Sequence, residues 1–546
     1  MKKGIASGYR LIFGYLGIFL IFIGAICLVP LFLLIAYPEE YYSWAAFAIP
    51  GLSSIAVGVL LFLLIAKREK SQLGKFQDSI LLVLIWLCAI LINAVPFMLR
   101  GIGTGEIAKY GMNFTDAVFE TTSGYATCGL TVFFSYNDAV NVLQVSDYQN
   151  LPQLGYHLYT MYRSLLLFFG GVGLVLIVSS AISDRYGLKL YTAEGHNDKL
   201  MPNLAKSARM ILLIYVAYIV LGALAYWLLG GMEIFDSFCH SVAAIATGGF
   251  STYPGGLPEI IANGGVNSIT GWAINGTAIN IVSIILMILG STNFVIHLFL
   301  FRGKFKKIFK DCEIRFFLLI CIIFIPLFTV SIFNSLSQIG ENNALATSFE
   351  EGIFLFVSSM TTTGFNTATD IVKLGQGAIL LSIIVMTIGG GMGSTAGAIK
   401  QYRFVIAFKA LYWSIRDRLS NKNYVFPHHV YRLGEDKEVS QSEIFEAYGY
   451  IILYITVSVV CTLTMVILGQ GNETFSVTNC YFEFANAISS AGLTIGVSQG
   501  TGLPVANVKA IRWILTFGMF VGRLEILPVY FAIFRGTRDL LRKETN

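Results

Sequence analysis

Charge is scarce in this chain of 546 residues. Asp, Glu, Lys and Arg make up only 13% of it, about half the usual share for a soluble domain. Apolar residues make up 55% and the mean hydropathy is +0.70, so the composition implies a polytopic membrane protein. The eight cysteines form no Cys-x-x-Cys pair and the six histidines show no metal-ligand spacing, which argues against a disulfide framework or a zinc site. A glycine-rich run near residue 390 lacks the Gly-Lys-Ser/Thr ending of a phosphate-cradling loop, because Ile399-Lys400-Gln401 stands there. Neither that run nor His428-His429 belongs to a set of acid, base and metal ligand converging on one face, so no enzyme and no bound cofactor is expected. The first apolar run is too long for a cleaved signal peptide and has no obvious small-residue cleavage site.

Ten runs are long enough to cross a bilayer: Leu11–Tyr37, Ala45–Ala66, Ile80–Leu99, Leu165–Ile182, Met210–Leu229, Ile279–Phe301, Phe316–Phe333, Ala378–Ile399, Ala447–Leu468 and Ile511–Phe534. Basic residues cluster on alternate connections. The segments Met1–Arg10, Lys67–Lys75, Ile182–Arg209, Arg302–Arg315, Lys400–Lys437 and Arg535–Lys543 hold 30 of the 37 Lys and Arg. Those connections and both termini are therefore expected in the cytoplasm. The net charge of +5 is a topology signal and does not point to nucleic acid. Six of the other seven cations fall near the outer face, and Arg523 falls within a span.

Between the spans, one segment recurs four times. Gly129, Gly249, Gly364 and Gly492 lie 120, 115 and 128 residues apart. Each closes a short polar segment: Ala126-Thr-Cys-Gly129, Ala246-Thr-Gly-Gly249, Thr361-Thr-Thr-Gly364 and Ser489-Ser-Ala-Gly492. Leu or Phe follows each glycine, then Thr131, Ser251, Asn366 or Thr494. Similar segments at a near-constant period are an internal repeat. Asp116, Asp236, Glu351 and Asn479 stand thirteen residues before the glycines, where a short helix would begin and its free N–H groups want an acceptor. The pattern predicts a short pore helix running into an oxygen-lined turn, four times around one axis. Such turns replace a cation's hydration shell, and the helix C-termini add negative potential.

The fold expected is an all-α polytopic membrane protein, with four pseudo-symmetric helix–pore loop–helix repeats around one pore. The divisions are an N-terminal two-helix hairpin at 1–72 and repeats at 73–190, 191–313, 314–440 and 441–546. In the hairpin, Pro38-Glu-Glu-Tyr-Tyr reads as an interfacial anchor. The filter residues expected to hold the ion are Thr127, Cys128, Gly129, Thr247, Gly248, Gly249, Thr362, Thr363, Gly364, Ser490, Ala491 and Gly492. Thr127, Thr247, Thr362 and Ser490 would support the turns. His240, nine residues before its glycine like Glu120 and Glu483, reads as a helix-supporting hydrogen bonder. Gly170, Gly171 and Gly173 read as close helix packing.

The third repeat places Gly389, Gly390, Gly391, Gly393 and Gly397 within nine residues, together with Ser394 and Thr395. A regular helix is not expected to survive that density of glycine. Irregular backbone at membrane depth is tolerated where it lines a cavity, so Gly389–Ala398 is the gate candidate. Lys400 reads as a snorkelling anchor. Arg523, about eight residues short of its span's expected exit, reads as an electrostatic barrier to cations able to bond the loop's carbonyls.

These motifs resemble the Trk/Ktr/HKT superfamily of potassium transporters, and its bacterial TrkH branch in particular. The signatures occur in order along nearly the whole chain: Ser123–Gly129, Arg163-Ser with Gly170-Gly171-x-Gly173, Tyr191-x-x-Glu-Gly195 with Lys199-x-x-Pro202, Asp236-x-x-x-His240 with Thr247–Ser251, Ser394–Lys400 and Gly522-Arg-Leu-Glu525. The resemblance implies a K+ uptake protein of the cell inner membrane, with K+ as transported ion at Gly129, Gly249, Gly364 and Gly492. It also implies a homodimer and a cytosolic, TrkA-like nucleotide-binding regulatory subunit, for which Arg302–Arg315 and Lys400–Lys437 offer a basic surface. Sodium-admitting relatives often carry serine at the first filter glycine, so Gly129 favours potassium. Cys128 departs from the threonine common in the family and loses a hydroxyl near the filter. The alternative on the same scaffold is a sodium-permeable channel or a proton- or sodium-coupled symporter.

Overall fold

The computed structural model describes residues 3–66, 77–102, 110–136, 141–143, 147, 151–173, 204–340, 343–367, 371–420, 427–469 and 471–544. The link carrying Tyr191–Gly195 and Lys199–Pro202 lies outside the described residues. The chain divides into two compact units: Met1–Leu212 with Phe250–Pro254 and Ser498–Asn546, and Leu213–Gly249 with Gly255–Val497.

In the first unit, helices Lys3–Leu28 and Trp44–Leu61 form the expected hairpin. Their contact is built on glycines at heptad spacing. A Cβ at Gly17 would lie 2.8 Å from the Gly58 carbonyl oxygen, and one at Gly24 would lie 2.5 Å from that of Gly51. With no hydrophobic drive between helices in lipid, such close backbone approach supplies the packing. Glu40 in the hairpin's outer turn is buried, unlike the interfacial anchor expected. Its carboxylate accepts from the backbone N–H groups of His157 and Leu158, both at 3.0 Å, and so caps helix Tyr156–Val172. Tyr41, Tyr42 and Trp44 beside it are exposed and suit an interface. Helices Gln77–Met98, Phe114–Tyr125, Val505–Arg523 and Leu527–Glu544 complete the unit.

The second unit contains Ile234–Ile245, Gly276–Ser291, Phe294–Phe301, Cys312–Ile339, Ala344–Met360, Gln376–Ile388, Gln401–Leu419, Gln441–Gly469 and Val477–Ser489. A hairpin that periodicity did not indicate pairs His429–Arg432 with Glu435–Glu438. It is fastened to the start of the Cys312 helix. Arg432 lies 3.2 Å from Glu313 and stacks over Tyr402, and Leu433 donates its N–H to the N-capping Asp311 at 2.8 Å. Burial pushes the Asp311 carboxyl up, opposed by those backbone N–H groups.

Among the described residues, seven helices are long and apolar enough to cross a membrane, or eight counting one bent pair, against the ten runs expected. Ile279–Phe301 is broken after Ser291, and its halves meet at 111°. Ala378–Ile399 is helical only to Ile388. Leu165–Ile182 passes out of the described residues after Gly173. The run Ile511–Phe534 also breaks: its helix ends at Arg523 and a new one starts at Leu527. The described breaks fall on short polar or glycine-rich stretches, Ser291–Asn293, Gly389–Lys400 and Arg523–Glu525, set between apolar flanks.

Candidate functional site

Each of the four repeated segments leaves its short helix in the same way. Thr127, Thr247, Thr362 and Ser490 are left-handed, with φ of 53°, 51°, 53° and 59°. Gly129, Gly249, Gly364 and Gly492, two residues on, have φ of 89°, 63°, 86° and 81°. The residue between them donates its N–H five residues back: Cys128 to Ser123, Gly248 to Ala243, Thr363 to Ser358 and Ala491 to Asn486, at 2.8–3.0 Å. This is the Schellman closure of a helix, built with Thr or Ser where glycine is usual. Beyond it, among the described residues, no hydrogen bond ends on the carbonyls of the four left-handed residues or the four glycines. The glycines are half-buried while the residue on either side is buried, so each turn presents its glycine as the accessible point.

Such strained hydroxyl-bearing residues persist only where the surroundings hold them. The holding groups sit where the sequence placed Glu120, Glu483 and His240. Glu120 accepts from Thr131 Oγ1 and from the Val132 N–H, both 2.9 Å. Glu483 does the same in the fourth repeat, with Thr494 Oγ1 at 2.8 Å and the Ile495 N–H at 3.2 Å. His240 sets its Nδ1 2.8 Å from the Asp236 carbonyl and its ring against Phe365, the helix-supporting role expected. Asp116, Asp236 and Asn479 occupy first turns as predicted. Glu351 does not, because its helix begins at Ala344; it accepts instead from Thr367 Oγ1.

Arg163 is a site residue whose role the motif did not reveal. Its Nε lies 2.8 Å from Glu120, its Nη2 donates to Thr131, its Nη1 donates to the Ser251 carbonyl, and its guanidinium lies over Phe250. Pair and partner are almost wholly buried. Removing one member of a buried pair typically costs about 3–5 kcal/mol because the other charge is stranded. Arg163→Gln and Glu120→Gln are each expected to lower the Tm of the purified protein sharply, and the double variant by less than the sum. Unchanged Tm in both single variants would show the pair to be dispensable.

Within the second unit, three of the repeated turns lie edge to edge. A Cβ on Gly249 would fall 2.2 Å from the Thr363 carbonyl oxygen, and one on Gly364 2.1 Å from that of Ala491. Each glycine thus faces the residue before the next repeat's glycine. The Thr127–Gly129 turn belongs to the first unit, where the carbonyl of Tyr125 lies 2.2 Å from the place a Cβ on Gly170 would take. Gly290 stands in the same relation to Ile245, at 2.5 Å. Both glycines are thereby tied to close packing behind a pore-helix end.

From Gly389 to Lys400 the chain is non-helical and almost entirely buried. The broken helix around Ser291–Asn293 satisfies it. Gly391 N–H donates to Ser291 O, Thr395 N–H to Gly290 O, Phe294 N–H to Gly393 O and Asn293 Nδ2 to Met392 O. Two irregular stretches thus supply each other's missing partners, as backbone at membrane depth requires. The loop also reaches the repeated turns. Thr395 Oγ1 lies 3.0 Å from Ile245 O, 2.8 Å from Gly290 O and 3.1 Å from Thr247 Oγ1. Gly397 N–H donates to Thr362 Oγ1 at 2.9 Å, and a Cβ on Gly397 would collide with the Ser489 carbonyl oxygen. Thr362 thus touches the loop with its hydroxyl, and Thr247 does so while also donating to the Ala246 carbonyl of its own turn at 2.7 Å. Thr127 Oγ1 and Ser490 Oγ are buried with no hydrogen-bond partner among the described residues. Lys400 is buried with φ of 78° instead of snorkelling.

Arg523 is the last residue of its helix, and its guanidinium donates to the carbonyls of Gly170 and Gly171. Among the described residues no cluster of three or more His, Cys, Asp or Glu could hold a metal. The side chains of Thr127–Gly129, Thr247–Gly249, Thr362–Gly364 and Ser490–Gly492 include no carboxylate, so the oxygens of these turns are those of backbone and hydroxyl groups.

A family model described as TrkH, cation transport protein, matches residues 45–535. The chain is 27% identical over 541 residues to the Trk system potassium uptake protein TrkH of Escherichia coli K12, covering 95% of this chain and 97% of that one. It is also 27% identical over 527 residues to the uncharacterized cation transporter MJ1485 of Methanocaldococcus jannaschii, covering 95% of each. The crystal structure of the potassium transporter TrkH from Vibrio parahaemolyticus superposes with a TM-score of 0.70 at 23% identity, over 96% of this chain and 98% of that one. That likeness speaks for the fold.

Proposed function

Because the chain belongs to the TrkH family of cation transport proteins, we propose that it takes up potassium ions across the bacterial inner membrane through a filter of four repeats. The repeats are those at 73–190, 191–313, 314–440 and 441–546. The observation that carries this reading is the fourfold recurrence of a left-handed hydroxyl residue and a left-handed glycine whose carbonyls have no partner in the described chain. Those oxygens replace the hydration shell of K+, and the pore-helix C-termini add negative potential. An inside-negative membrane contributes about 2.3 kcal/mol per charge per 100 mV, so accumulation needs no hydrolysis in this chain. The potassium-uptake names of relatives similar over nearly their whole length support the choice of ion.

The Gly389–Ala398 loop acts as the gate and Arg523 as a cation-repelling charge beside the path. The protein works as a homodimer, and a TrkA-like nucleotide-binding subunit biases the loop from the cytoplasmic side. The Glu313–Arg432 contact is the suggested lever, since a Cβ on Gly391 would lie 3.0 Å from Glu313 Oε2. Both termini are cytoplasmic in this reading. Thr395→Val deletes a hydroxyl that ties the loop to Ile245 and Gly290. Losing such a bond loosens the closed loop by about 1 kcal/mol, so basal flux is expected to rise about fivefold. Flux at or below wild type would remove Thr395 from the gate.

Expression in a bacterium lacking its own potassium uptake systems tests the function directly. Growth restored at low external K+, and not by a Gly364→Ala variant, is the expected result. Absence of rescue by well-expressed wild-type protein together with its regulatory subunit would contradict it.

A further inference from the structure

We propose that the second unit carries a binding site for one anionic phospholipid, in the groove between helices Cys312–Ile339, Gln376–Ile388 and Gln401–Leu419. The groove encloses about 1010 Å³. Its walls are apolar side chains, among them Phe316, Ile320, Ile323, Leu380, Ile384 and Phe408. Along the first helix the lining runs from Cys312 to Phe324, roughly 18 Å at 1.5 Å per residue. One leaflet of hydrocarbon is about 15 Å deep, so the groove has the reach of a single lipid's tails.

Charge complementarity selects the headgroup. Lys310, Arg315 and Lys409 line the same groove where the Cys312 helix begins. None of the three forms an ion pair among the described residues. Arg315 donates to the Phe309 carbonyl, Lys409 lies 3.4 Å from that of His429, and the Lys310 ammonium sits over the Tyr431 ring. The two acids beside them are buried and already engaged: Asp311 with the Leu433 N–H and Glu313 with Arg432. Three uncompensated cations above an apolar cleft one leaflet deep match an anionic headgroup with its acyl chains below.

Native mass spectrometry of the full-length protein tests the site, using phosphatidylglycerol and phosphatidylcholine of the same chain length as probes. One tight phosphatidylglycerol adduct per subunit is expected, with phosphatidylcholine weaker. The variant K310Q/R315Q/K409Q should bind phosphatidylglycerol about a hundredfold more weakly, at roughly fivefold per basic residue. Leu380→Trp with Ile384→Trp fills the groove at exposed positions, leaves its charge intact, and should displace the same adduct. Equal binding of both lipids, unchanged in the triple variant, would overturn the proposal. So would a groove-filled protein that keeps its adducts but separates from dimer to monomer, which would seat a second copy there instead. Neither result depends on ion flux, so failure of this site and failure of the transport reading are distinguishable.

Discussion

Gly364→Ala is expected to reduce K+ flux by about a hundredfold while leaving a folded, membrane-inserted protein. The added Cβ would stand 2.1 Å from the Ala491 carbonyl oxygen and 3.0 Å from the Gly492 Cα, and both obstacles are backbone. The φ of 86° adds a steric cost for any residue with a Cβ. One filter turn must move, and the carbonyl it swings aside is worth up to about 3 kcal/mol to an ion, like other charge-assisted contacts. Gly249→Ala meets the Thr363 carbonyl in the same way and should behave alike. Gly449 is the control: it lies within helix Gln441–Gly469 with nothing near its missing Cβ, so Gly449→Ala should be neutral or slightly stabilising. Parallel flux and thermal-unfolding measurements decide. Full K+ flux in Gly364→Ala would mean that the turn does not coordinate the ion.

Arg523→Gln is expected to raise flux, by about thirtyfold if the charge stands beside the ion path. A unit charge at roughly 8 Å in an effective dielectric of about 20 raises a cation's energy by about 2 kcal/mol. Arg523→Lys separates charge from geometry. It keeps the barrier but loses the fork that donates to both Gly170 and Gly171, so its flux should stay near wild type. A loss of flux in the Gln variant, restored in the Lys variant, would make Arg523 a brace for that glycine turn and end its role as a barrier.

The phase of the four glycines was legible because a repeat leaves its mark in sequence whatever surrounds it. Glu120, Glu483 and His240 could be placed at one offset for the same reason. The helix breaks were not legible. Ile279–Phe301 reads as one span because most of its residues are apolar and none is Asp, Glu, Lys or Arg, and the partners that make a break at Asn293 affordable lie about a hundred residues away in the Gly-rich loop. Arg163 and Glu120 meet across 43 residues, and nothing local to either predicts the pair. The His429–Glu438 hairpin escaped notice because its turn is Leu433-Gly434, with both residues at positive φ, where Asn-Gly would have been the usual signal. Glu351 falls outside the first turn because the third short helix begins about one and a half turns earlier, relative to its glycine, than its counterparts.

The most direct test of a four-glycine potassium filter is parallel K+, Rb+ and Na+ flux into liposomes holding the purified protein, with and without a proton gradient. Strong K+ and Rb+ flux, weak Na+ flux and no requirement for the gradient are the expected results. Comparable Na+ flux would contradict the selectivity assigned to these turns and turn attention to Cys128. Flux that stops when the proton gradient is removed would contradict the gated pore and make the protein a symporter.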